Sequence, residues 1–77
     1  MTEEDKAKMK GAVVDFLAAK LDGFNGVDRL AILKCHMEAI IEVAVSAKVD
    51  GNDTKEQQAL IRTSMDVCLD EFYKIDI

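Results

Sequence analysis

The 77-residue chain has no proline, no tryptophan, one histidine and two cysteines. Without proline, nothing inside a helical pattern forces a kink or a break, and reversals of the chain fall to glycine and asparagine. Cys35 and Cys68 are too few for the disulfide framework of a small secreted domain. Both lie within helical segments, where a free cysteine behaves as a small hydrophobe, and the expected compartment is the reducing cytoplasm. Neighbours on a helix, Cys35 and His36 point about 100° apart, so a closed zinc site would be short of ligands. No uncharged apolar run approaches the roughly 20 residues of a membrane span. The first residues, MTEEDKAKMK, lack the apolar run of a signal peptide. Cations are the minority, with 10 Lys and Arg against 15 Asp and Glu, and the net charge is −5 with a pI near 4.7. That balance argues against binding a phosphate backbone and allows a basic protein partner.

What the chain does have is a long apolar middle. Val27 to Val49 reads VDRLAILKCHMEAIIEVAVSAKV, and wound as a helix its apolar side chains cover an arc of roughly 220°. Leu33, Met37, Ile40, Ala44 and Ala47 form one ridge, Leu30, Ile41 and Val45 a second, and Ile32 and Val43 a third. A helix apolar over most of its circumference is expected to be buried, so this segment is taken as the centre of the fold.

The flanks repeat one grammar. Thr2 with Asp5 three residues on resembles a capping box, and Glu3, Glu4 and Asp5 suit the positive end of a helix dipole. The first helix then presents Met9, Val13, Phe16 and Leu17 as a core face, with Gly11 tolerated on the wet side. It stops at Asp22-Gly23, where a left-handed glycine and Phe24 folded back onto Ala19 would complete a Schellman motif. Asn25 caps the central helix. Asp50-Gly51 ends it, and Thr54 with Gln57 is spaced as a second capping box. The third helix carries Ile61, Met65, Cys68, Phe72 and Ile75 as one narrow seam. The expectation is a single all-α domain, a small antiparallel three-helix bundle with helices over 3–21, 26–49 and 54–74 and a largely buried central helix.

Few constellations promise chemistry. His36 projects between Ile32, Leu33 and Ile40, with Arg29 two turns earlier, and could in principle serve as a general base or phosphoacceptor. A histidine phosphotransfer bundle places a lysine and then a glycine after its histidine; Ala39 and Ile40 stand in those places here. The loop from Asp50 to Thr54 is rich in oxygen, but an EF-hand needs glycine at the sixth position and glutamate at the twelfth, where this chain has Lys55 and Ile61. A recognition helix for DNA is also unpromising, because Lys55 and Arg62 are outnumbered by Glu56, Asp66, Asp70 and Glu71. Towards the C-terminal end Asp66, Asp70, Glu71 and Asp76 gather into an acidic patch able to meet a basic surface, with Lys74 offsetting Asp70 and Glu71.

These features point to a non-enzymatic, cofactor-free interaction protein, an adaptor, regulator or inhibitor that occupies a partner surface. In size and composition it is similar to helical antagonists and adaptors encoded by bacteria and phages. A ligand-binding homo-oligomer and a phosphorelay or enzyme element based on His36 are the alternatives. Surplus apolar surface on the central helix predicts a symmetric homodimer through Arg29, Ile32, His36, Ile40 and Val43. Protonation of His36 near the axis would weaken that dimer as the pH falls toward about 6.

Overall fold

A computed structural model describes residues 2–76 as three helices, α1 Glu3–Leu21, α2 Gly26–Asp50 and α3 Lys55–Lys74. Each begins where a side chain satisfies a backbone donor that the first turn leaves free. At α1 the capping box is complete: the Asp5 N–H donates to Thr2 Oγ1 at 3.1 Å and the Thr2 N–H donates to Asp5 Oδ2 at 3.4 Å. At α2, Asn25 Oδ1 accepts from the Asp28 N–H at 2.9 Å. At α3 only half of the expected box forms. Thr54 Oγ1 accepts from the Gln57 N–H at 3.2 Å, while the neighbouring Gln58 amide reaches back to the Asp53 carbonyl at 3.0 Å. Thr54 is thus a cap and not the first helical residue, and α2 runs one residue further than expected, to Asp50.

The two Asp-Gly joints share letters but not geometry. After α2, Gly51 is left-handed at φ 75°, and the Asn52 N–H returns to the Ala47 carbonyl at 2.9 Å while the Gly51 N–H reaches the Lys48 carbonyl. That is the Schellman pattern. After α1, the expected Schellman motif is replaced by a tight turn. Asp22 is extended at φ −60°, ψ 132°, Gly23 sits at φ 82°, and the Phe24 N–H donates to the Leu21 carbonyl at 3.2 Å. These are the dihedrals of a type II β-turn, which needs a positive φ at its third residue. Phe24 consequently points toward the start of α2, where it lines a cleft with Leu21, Arg29 and Ile75.

The helices run up, down and up, and the chain is an all-α three-helix bundle. Packing corrects the expectation of a buried middle segment. α3 lies against both other helices, and the α1–α2 interface is the smallest of the three. α1 and α2 meet where Phe16 and Lys20 face Ile32, Cys35 and His36. Beyond that point each packs on α3 rather than on the other.

The core joins Leu17 and Leu21 of α1, Leu33 of α2, and Val67 and Cys68 of α3, with Val13, Ile32, Met37, Ile40 and Ile75 partly buried around it. The ridge of Leu33, Met37, Ile40, Ala44 and Ala47 does turn inward. The other two ridges follow it only at Leu30 and Ile32, which are partly buried, and Ile41, Val43, Val45 and Val49 are exposed. Conversely, α3 is not a single-stripe outer helix. Val67 is buried beside the predicted seam, because α3 has a neighbour on each side, and Phe72 lies at the edge. Phe16, expected in the core, is 55% exposed.

A close-packed triangle of helices 8–10 Å apart would be about 15 Å across. This bundle measures 39 × 29 × 17 Å, with a radius of gyration of 13.4 Å, against about 11.5 Å for a compact domain of its length. It is a splayed bundle, wide in one direction. None of its helices is long and apolar enough to cross a membrane, among the described residues.

Candidate interaction surface

The side of the molecule on which α2 carries His36 is where α1 and α2 meet and beyond which they part. There, two shallow grooves flank a crest formed by His36 and Ala39. The α2–α3 groove is lined by His36, Ala39, Ile40, Val43, Leu60, Ile61 and Ser64. The α1–α2 groove is lined by Lys20, Ala31, Ile32, Cys35, His36 and Ala39. Val43 is 53% exposed and Leu60 44%, and the exposed Phe16 of α1 stands beside His36. Neither groove is lined by a carboxylate, although the chain has 15.

His36 sits half-buried at the centre of this surface. Its ring centroid lies 6.0 Å from that of Phe16, and Lys20 Nζ stands 5.4 Å from the Phe16 centroid in a cation–π contact. Burial, helped by the nearby Lys20 charge, pushes the imidazole below its ordinary pKa, so at neutral pH it is uncharged. Its neighbours, an aromatic ring and a cation, do not orient it for proton transfer, which calls for a hydrogen-bonded partner of matched basicity. No group of three or more His, Cys, Asp and Glu side chains close enough to hold a metal ion occurs among the described residues. The grooves, about 250 and 360 Å³, lie below or near the bottom of the range of roughly 300–1,000 Å³ for pockets that enclose a small molecule.

Of the residues singled out on the central helix, Ile32, His36, Ile40 and Val43 lie together on this surface. Arg29 does not. Its Nε donates to the Phe24 carbonyl at 2.8 Å, and its side chain lines the cleft at the α1–α2 joint with Glu71, Lys74 and Asp76. The type II turn is the reason, since it leaves the Phe24 carbonyl facing the first turn of α2. Leu60 and Phe16 are the contributions that periodicity on α2 alone misses. Both had helical spacing as a signal, Phe16 within the core face of α1 and Leu60 beside the α3 seam.

The acidic residues at the end of α3 divide. Asp66 and Asp70, one turn apart, stand exposed on its outer side. Glu71 is half-buried and paired with Lys74 at 3.3 Å, and it lines the joint cleft with Asp76. Of the cysteines, Cys35 is exposed in the α1–α2 groove and Cys68 is buried, its thiol pushed up by burial with Lys20 partly opposing. The loop from Asp50 to Thr54 serves as stop, turn and cap, as its hydrogen bonds describe.

Comparison with protein-family models, with curated proteins and with solved structures gives no match.

Proposed function

We propose that the protein is a small acidic interaction module of the adaptor, regulator or inhibitor kind, working in the cytoplasm by laying the surface around His36 and Ala39 on another protein chain. The observation that carries this reading is the pair of adjoining grooves with no carboxylate in their lining, where Val43 and Leu60 are exposed and Phe16 stands beside His36. A chain with a net charge of −5 has carboxylates to spare for solubility, and keeping them off one broad apolar face is the anatomy of a protein interface. The mechanism is occlusion: the face covers a partner's surface, while Asp66 and Asp70, exposed on the outer side of α3, stay clear of the contact.

A photo-cross-linking amino acid at position 43, irradiated in extract of cells that make the protein, tests this reading. A protein-sized adduct supports it. Phosphate on His36 after incubation with phosphodonors, or a small molecule as the only adduct, would overturn it.

A further inference from the structure

Resting on that reading, we infer that the chain covering this surface is a second copy of the same protein, in a two-fold symmetric dimer in which α2 crosses its counterpart at His36 and Ala39. The first argument is area. A compact monomer of 8.5 kDa exposes about 4,700 Å², whereas this chain exposes 5579 Å². The excess, about 900 Å², matches the roughly 800 Å² that each partner loses in a standard stable interface.

The second argument is choice of face. The opposite flank of α2 also exposes Ile41, Val45 and Val49, but there Lys34 and Glu38 lie at the same angles around the helix. Between Ile32 and Val43 the crest side has charge only at its ends, Lys20 at one and Glu42 at the other. Two copies of an acidic chain repel unless their carboxylates stay off the middle of the contact; neither groove is lined by one, and Glu42 and Asp50 stand past Val43 at the margin.

The third argument is orientation. Lys20 stands beside Ile32 and Cys35 at one end of the crest, and Glu42 stands beside Val43 and Ser46 at the other. Antiparallel crossing sets each Lys20 toward the partner's end that holds Glu42, while parallel crossing would set Lys20 against its own counterpart. Ala39 at the crossing lets the two backbones approach to the short end of the 8–10 Å interaxial range.

Sedimentation equilibrium of the purified full chain at micromolar concentration tests the inference. The expected result is a species of twice the 8.5 kDa protomer mass, with Val43→Glu and Leu60→Glu each weakening it by about 30-fold or more while circular dichroism keeps its helical signal. Both side chains are half-exposed in the protomer, so the fold does not depend on them. Should either variant unfold, Ala39→Cys in a Cys35→Ser background gives the answer independently, because the crossing brings the two introduced thiols within disulfide reach. A monodisperse monomer, a dimer indifferent to both glutamates, or failure of Ala39→Cys to cross-link overturns the inference. If the chain is monomeric yet position 43 still cross-links to a different protein, the dimer fails and the interaction reading stands; if position 43 captures nothing, both fail.

Discussion

α2 and α3 lie side by side, are similar in length and share the core, yet they dispose of their apolar side chains differently. α2 is the more apolar helix, but it fully buries only Leu33 and Ala47 and leaves Ile41, Val43, Val45 and Val49 in solvent. α3 is the more amphipathic, and it holds the middle of the bundle with Val67 and Cys68 buried between two neighbours. Apolar width therefore measures how much of a helix has to be covered, and position in the bundle decides how much of it the chain itself covers. On α3 the two agree. On α2 they part: of the uncovered side chains Val43 belongs to the surface assigned above to another chain, while Ile41, Val45 and Val49 stand on the opposite flank.

That contrast can be broken most directly by truncation. Leu33→Ala, at a side chain with no exposure, is expected to lower unfolding free energy by about 2–5 kcal/mol, whereas Val45→Ala on the outer flank of α2 should stay within about 0.5 kcal/mol. Urea melts at one protein concentration make the comparison, and equal losses would show that α2 is buried after all. The cysteines repeat it on a smaller scale. Cys68→Ala should cost about 1–2 kcal/mol and Cys35→Ala almost nothing, and a thiol reagent should modify Cys35 rapidly and Cys68 only as the fold opens.

At the joint between the two helices, Gly51→Ala should cost about 1 kcal/mol, because φ 75° is strained for any side chain. Gly11→Ala, where an added methyl meets open space, should instead stabilise by up to about 1 kcal/mol.

The smallest effect is on pH. The folded His36 has a pKa below that of the unfolded chain, so the unfolded state binds its proton more readily. The stability associated with a neutral His36 is thus complete above about pH 6.5. It is lost as the pH falls from there through the folded value. His36→Gln should flatten this part of the profile of melting temperature against pH.

The helix ends were legible in the sequence because caps are local. Thr2, Asn25, Thr54 and Gly51 each act through hydrogen bonds to residues three to five positions away, and spacing alone announces such bonds. The ridge from Leu33 to Ala47 was legible for the same reason, as a repeat on one helix. Which helix would stand in the middle was not. That depends on how three faces divide among one another, and periodicity gives the width of each face without naming its neighbour. At the candidate surface Ile32, His36, Ile40 and Val43 could be grouped from a single helical wheel, while Phe16 and Leu60 arrive from other helices through the tertiary fold. Arg29 was misplaced because its partner is a backbone carbonyl freed by a type II turn, and the letters Asp-Gly do not distinguish that turn from the Schellman motif that closes α2.

The unequal interfaces also set an order of events in time. α2 and α3 are joined by a short loop and pair as a local antiparallel hairpin, whereas the main partner of α1 is α3, at the far end of the chain. Contacts that close short loops form fast, and those that span the chain wait for them, so the hairpin assembles first and α1 docks onto a finished platform. Running the sequence backwards, α1 is the piece that detaches with the least disruption, a sub-global opening and not full unfolding. Leu17 and Leu21 then lift away from Cys68, which shares their cluster. The slow reaction of that one thiol becomes a clock for α1, ticking each time the first helix leaves and returns.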